Sequence, residues 1–170
     1  MSWVTRWRLN TMNIFHLSLC PRKSASYLCD KHVSKMFTET GQMLSTVHRQ
    51  HGQNHDGLYK IAYPNHPMTK WCGLTSGNYR WAYAHMCELM SQHWLRYNTT
   101  HKTMYRMCHL TEPPPKIREG GFTIPPLCMP DQYKSKNHVA SYRMYYCKEK
   151  SHFAKWVKGQ PVPFWYDAIS

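Results

Sequence analysis

Acid is scarce in this chain. Nine Asp and Glu stand against 22 Lys and Arg, a formal charge of +13 before any of the 12 His is protonated. Such an imbalance predicts attraction to a polyanion. Nucleic acid ranks ahead of an anionic membrane, because a basic groove gains affinity by releasing counterions from phosphates. Long apolar runs are missing as well. Nothing approaches the roughly 18 consecutive apolar residues of a membrane-spanning helix, and the N-terminus has no uninterrupted apolar stretch of the kind a signal peptide needs. A soluble, cytoplasmic protein with no membrane partner is expected, in the host cytoplasm if a phage encodes it. The seven cysteines are an odd number and contain no Cys-x-x-Cys pair, so reduced thiols are expected rather than a disulfide framework. Cys29-x-x-His32 and Cys108-His109 come closest to a metal pattern, but neither has a partner pair at zinc-finger spacing. No metal and no cofactor are expected, and a zinc-organised helical protein is kept as an alternative. Repeats and low-complexity tracts are also absent.

The 170 residues suffice for one ordinary domain with a core that needs no staples. Residues 1–11, with Trp3, Arg6, Trp7 and Arg8, read as an N-terminal extension ahead of an alternative start at Met12, and residues 12–170 as a single helical domain. From Pro21, well suited to a helix N1 position, apolar residues keep helical spacing as far as Gly52, with Gly41 a weak point. Gly, Asn, Asp and Pro from His51 to Lys70 predict loop with at most a short helical turn. A second helix follows Ser76 as N-cap and runs to Asn98. A further piece spans Thr100 to Leu110, and Pro113-Pro114-Pro115 ends it. A long ordered loop to Asn137, packed through Phe122, Ile124, Leu127 and Met129, then leads to a last helix over His138 to Val157. The aromatic tail Pro163-Phe164-Trp165-Tyr166 is expected to dock on the core. The sum is a mainly α fold, a compact single-domain helical bundle with long ordered loops.

Where acid is rare, the placement of each carboxylate counts. His32 and Glu39 are seven residues apart, and at about 100° per residue seven steps fall only about 20° short of two turns. Both therefore lie on one line of the first helix, beside the apolar sector of Val33, Leu44 and Val47. Burying a carboxylate there costs several kcal/mol unless something compensates, and a half-buried carboxylate beside a cation and an imidazole can do proton chemistry. Lys31 and Lys35 flank His32. The plainer alternative is a Lys35–Glu39 surface ion pair with His32 a packed core histidine. A second candidate is the loop Tyr63-Pro64-Asn65-His66-Pro67, which holds His66 accessible ahead of Lys70 and Trp71. The start of the second helix offers Asn78 and Arg80 for phosphate contacts, with Arg80 facing outward and Trp81 inward. The later half adds Arg96, Lys102, Arg106, Lys136, Arg143 and Lys150 among its cations, some of which should line a groove.

These pieces resemble the pyrimidine-dimer DNA glycosylase/AP-lyase family typified by phage endonuclease V, and more closely a set of uncharacterised phage proteins. The matching pieces are Met12-Asn13-Ile14-Phe15, the His32…Glu39 spacing, and His66-Pro67-x-Thr69-Lys70 ahead of an aromatic-rich helix. The resemblance covers about the first 100 residues and the tail. It implies a helical, metal-free enzyme that binds distorted double-stranded DNA and cleaves the N-glycosidic bond of a damaged pyrimidine, a primary amine attacking C1′ while a buried Glu handles protons. Glu39 would be that acid/base, with His32 orienting it. In that family the nucleophile is the α-amine of the mature first residue. Met12 would supply it here if translation begins there, and Lys35 is the fallback amine. Thr38 and Gln42 stand where the family places arginines. The competing expectation is a non-catalytic, basic nucleic-acid-binding phage protein.

Overall fold

The computed structural model describes residues 12–169, so the extension read over 1–11 lies outside the described residues. The regular structure is helical and no strand occurs among the described residues. The helices are α1 (Pro21–Ser26), α2 (Asp30–Gln50), α3 (Pro67–Cys72), α4 (Ser76–Tyr97), α5 (Met104–Met107), α6 (His138–Lys150) and α7 (Tyr166–Ile169). This is the mainly α architecture expected. No helix among them is long and apolar enough to cross a membrane.

The single helix expected from Pro21 to Gly52 is in fact two. Pro21 opens α1, but the chain leaves the helix at Tyr27, and Cys29 is extended (φ −64°, ψ 161°) before α2 begins. The cause is Arg96. Its fully buried guanidinium donates to the carbonyls of Ser26 (2.9 Å) and Leu28 (2.7 Å) and to the Asp30 carboxylate (3.1 Å). Carbonyls that a continuous helix would have used internally gain a charged donor instead. The second Asp30 oxygen accepts from the Val157 N–H (2.8 Å), and the Asp30 N–H donates to the Lys155 carbonyl (2.9 Å). Arg96 is therefore a structural clamp and not one of the groove-lining cations.

α2 and α4 form the central pair. Val33, Met36, Phe37, Leu44 and Val47 of α2 are buried, as are Tyr79, Ala82, Met86 and Leu89 of α4. Gly41, read as a helix weakness, is a point of close approach. A Cβ there would stand 2.8 Å from the Thr103 side chain and 3.3 Å from Met86 and Tyr59. The cap of α4 is Thr75, one residue before the expected Ser76, and its hydroxyl accepts from the Asn78 N–H at 3.1 Å. Asn98 closes the helix in the left-handed region (φ 50°).

The C-terminal half is less helical than its pattern suggested. The piece expected over Thr100 to Leu110 reduces to the single turn of α5, and α6 stops at Lys150 rather than Val157. The long loop is ordered and carries only a 3-10 turn at Asp131–Tyr133. Its anchor is the start of α4, where the Gly77 N–H donates to the Gly120 carbonyl at 2.8 Å. Leu127 and Met129 pack on the core, and Phe122 lies against the rings of Trp71 (5.7 Å) and Trp81 (6.0 Å), but Ile124 is exposed rather than packed. Trp165 and Tyr166 dock as expected, while Phe164 stays outside. α6 lays Tyr142 and Tyr146, both fully buried, against Phe15 and His16 of the buried, non-helical segment Met12–Leu17.

Candidate active site

Segment Met12–Leu17 runs beneath the middle of α2, and this passage builds the site. The Asn13 backbone N–H donates to Glu39 Oε2 at 3.0 Å. Asn13 is itself fixed on both sides. Its side-chain amide donates to the Cys128 carbonyl (3.0 Å), and its Oδ1 accepts from the Ile14 N–H (2.9 Å) and the Tyr142 hydroxyl (3.4 Å). The other Glu39 oxygen faces Lys35 Nζ at 3.7 Å, in the i,i+4 pair the helix pattern predicted. The Glu39 side chain is 13% exposed and that of Lys35 45%, so the carboxylate sits at a mouth and not in a sealed interior. Burial raises its pKa above the ordinary carboxylate value, and the Asn13 N–H, Lys35 and Lys150 each pull it back down.

Lys150, the last residue of α6, is the group that sequence reasoning did not place here. It is half-buried, with Nζ 4.9 Å from the Tyr145 ring centroid and 6.0 Å from that of Phe15. Burial lowers its pKa first and the neighbouring Lys35 charge second, against the opposing pull of Glu149 and Glu39. The Phe153 and Ala154 N–H groups donate to its carbonyl at 3.1 and 2.9 Å, which fixes the end of α6. Its only signal in sequence was a lysine at i+4 from Tyr146, on the apolar face of a helix. Asn13 was visible only as part of the Met-Asn-Ile-Phe motif.

His32 is not Glu39's partner. It is 3% exposed, stacks on Phe15 (5.1 Å, 14°), and meets Tyr146 and Phe153 edge-on. The Tyr146 oxygen accepts from the Cys29 N–H (3.0 Å) and is hydrogen-bonded to His32 Nδ1 at 2.8 Å. Burial, reinforced by Lys35, Lys150 and Lys31, lowers its pKa to about 3. The expected orienting role is corrected accordingly: His32 is a neutral packing element beneath Phe15. Geometry on the helix wheel put His32 and Glu39 on one line, but the aromatic cluster took the imidazole.

Met12 is buried, its sulfur accepting from the Thr69 hydroxyl at 3.9 Å, and the nitrogen at Glu39 belongs to the next residue. Lys31 is exposed and lies over the Phe153 ring at 5.1 Å. His66 caps α3 by accepting from the Met68 N–H (3.1 Å), and Lys70 is exposed on that helix. Asn78 is fully buried and is no phosphate ligand. Its amide donates to Trp71 O (3.0 Å) and Thr123 Oγ1 (2.8 Å), and its Oδ1 accepts from the Thr123 N–H (2.7 Å). Arg80 faces outward as expected but is shared between Glu119 (3.5 Å) and Glu112 (3.8 Å), while Trp81 points in and donates to Leu19 O at 2.8 Å. Cys29 and His32, closest to a metal pattern in sequence, are both taken up in packing. Among the described residues no cluster of three or more His, Cys, Asp or Glu is placed to hold an ion.

An open groove of about 590 Å³ lies elsewhere, between Ser18–Leu19 and the start of α6, lined by Lys136, His138 and Arg143. None of Glu39, Lys35 or Lys150 lines it. Glu39 lies apart from that groove, partly open to solvent beside Lys35.

A helical, strongly basic chain thus sets the Glu39 carboxylate against the buried segment Met12–Leu17 and beside Lys35. The family model described as pyrimidine dimer DNA glycosylase matches residues 12–105, more than half of the chain. The chain belongs to that family, whose members act as glycosylases on DNA. No curated protein and no solved structure matches it.

Proposed function

We propose that this protein is a DNA N-glycosylase acting on a damaged or modified pyrimidine in double-stranded DNA, with an amine-dependent lyase step at the same site. The observation that carries the reading is the contact between the Asn13 backbone nitrogen and Glu39, whose other oxygen is paired with Lys35. A carboxyl group whose pKa is raised by burial can hold a proton for the departing base and, once ionised, can stabilise positive charge developing at C1′. The surrounding ammonium groups draw in the phosphates on either side of the lesion. The C1′ and base of a nucleotide stacked inside a duplex are out of reach of a protein side chain, so the nucleotide is extruded from the stack. Lys31 and Lys70 are the exposed cations best able to grip the backbone, with Arg80 joining them when it leaves its two glutamates. Seven free thiols fit a reducing cytoplasm.

The test is base release from a duplex carrying a single pyrimidine lesion. Glu39→Gln is expected to lose about 10²- to 10⁴-fold in turnover while binding DNA as the parent does. Equal turnover in the two proteins would sink the proposal. Salt-dependent binding with no base release from any lesion would leave the non-catalytic nucleic-acid-binding reading in its place.

A further inference from the structure

The two oxygens of Glu39 are held differently. Oε2 accepts from the Asn13 N–H at 3.0 Å, whereas Oε1 faces Lys35 Nζ at 3.7 Å, an ion pair too long for a hydrogen bond. Oε2 is therefore the pinned end, and Oε1 keeps its lone pairs for a proton. Where the pinned end sits depends on the backbone at Asn13. That backbone belongs to the non-helical segment Met12–Leu17, which has no helix ladder of its own to fix it. Side chains do so instead. Asn13 Nδ2 donates to the Cys128 carbonyl (3.0 Å), and Oδ1 accepts from the Ile14 N–H (2.9 Å). Turning the amide over would set nitrogen against N–H and oxygen against carbonyl, so one orientation alone satisfies both contacts. Tyr142 supplies the next link. Its hydroxyl accepts from the Cys128 N–H (3.3 Å) and shares its own proton between the Pro126 carbonyl (2.7 Å) and Asn13 Oδ1 (3.4 Å). Asn13 and Tyr142 are both buried, and the Tyr142 ring lies against Phe15 (6.4 Å) and His16 (5.6 Å). A buried polar chain with its members paired rigidifies what it joins. This one runs from α6 through residues 126–128 to Asn13 and ends on Glu39.

Resting on the glycosylase reading above, we propose that the Asn13 carboxamide and the Tyr142 hydroxyl are positioning residues, which fix the Asn13 nitrogen on Glu39 Oε2 and leave Oε1 to meet the substrate. A carboxyl free to swing on its side-chain torsions loses that alignment, and a displacement of about 1 Å can cost about 100-fold in rate. The proton affinity of Glu39 reports whether the pin is in place. Burial raises its pKa, and among the groups that oppose burial the Asn13 N–H comes first, ahead of Lys35 and Lys150. Loss of the pin therefore moves the carboxyl further up, while neither lysine is altered. Cys128 and Tyr142 lie beyond the residues that the family model matches, so the C-terminal half of this chain aligns a carboxyl that the matched part carries.

The experiment compares the full chain with Asn13→Ala, which cuts the link to Cys128, and with Tyr142→Phe, which removes the hydroxyl and keeps the ring on Phe15 and His16. Single-turnover base release from a duplex carrying one pyrimidine dimer is measured beside DNA affinity. The Glu39 carboxyl is titrated by NMR on isotope-labelled protein, its signal assigned by its loss in Glu39→Gln. Each variant is expected to release base about 10- to 100-fold more slowly, to bind DNA as the parent does, and to titrate Glu39 at a higher pH. A purely structural role would lower the melting temperature and leave the Glu39 midpoint in place, so an unmoved midpoint overturns the proposal. Base release at the parent rate by either folded variant overturns it as well. If the parent itself releases no base from any lesion, the glycosylase reading falls, and the Glu39 midpoint alone decides whether these two side chains place the carboxyl. Should Asn13→Ala fail to fold, Tyr142→Phe carries both measurements.

Discussion

Lowering the pH should unfold this protein through its buried imidazoles. His32 and His85 both have pKa values lowered to about 3 by burial, and His16, fully buried, is lowered well below its ordinary value. In the unfolded chain each would titrate near 6.5. A folded-state pKa below the unfolded one means that the unfolded chain takes up the extra proton. Stability is then fully present above about pH 6.5 and is lost as the pH falls toward 3. At about 1.36 kcal/mol per pKa unit, His32 and His85 each remove about 2 kcal/mol between about pH 7.5 and about pH 5. The pair removes about 4 kcal/mol, and His16 acts with the same sign. That is a large part of the 5–15 kcal/mol typical of a domain. Glu39 opposes it only in part, since its raised pKa favours the folded state as the pH drops toward 4.5. Urea unfolding followed by tryptophan fluorescence at several pH values measures the slope. His85→Phe, which keeps the stack on Trp81 (5.5 Å) and removes two unpartnered nitrogens, should recover about 2 kcal/mol of the loss. The reasoning fails if parent and variant share one slope, or if NMR finds His32 titrating near 6.5. The same measurement bears on catalysis, because an imidazole already neutral contributes no limb to a pH–rate profile between about pH 5 and 8.

Three further outcomes are expected. Relative to the parent, Glu39→Gln should gain stability as the pH rises from about 4.5 to about 7.5, because the buried carboxylate it replaces disfavours folding once ionised. Thermal melts at the two pH values check the sign, and a relative loss at the higher pH contradicts it. Arg96→Met leaves Asp30 and the Ser26 and Leu28 carbonyls without their donor, and should cost about 3–5 kcal/mol by urea denaturation. Gly77→Ala would put a Cβ 2.4 Å from the Gly121 backbone, so it should detach the long loop from α4. Faster amide exchange around Gly120–Thr123 would reveal that, whereas unchanged protection would argue against the packing described.

Helix type and the central α2–α4 pair were legible in the sequence because apolar spacing reports which face is buried. The carboxylate was legible for the same reason: Glu39 bordered an apolar stripe, and its Lys35 pair follows from a four-residue step. What the pattern did not reveal depended on partners remote in sequence. The Tyr27–Cys29 break answers to Arg96, the capture of His32 answers to Phe15 and Tyr146, and Asn78 was drawn inward by Thr123. Helix periodicity is blind to all three. A lone exposed lysine and a half-buried one also look alike in sequence, which is why Lys150 escaped notice while Lys35 did not.

The Asp30 junction has a practical corollary. Because that residue is gripped by Arg96 on one side and by Val157 on the other, and because Tyr146 from α6 closes the neighbouring turn at Cys29, the family-matching part and the remainder share one keystone. A stop codon just past residue 105 would remove Tyr146, Lys155 and Val157 from this junction. It would also bare the segment Met12–Leu17 where Tyr142 and Tyr146 cover it, so any attempt to minimise this protein has to trim loops and keep α6 and the turn through Val157.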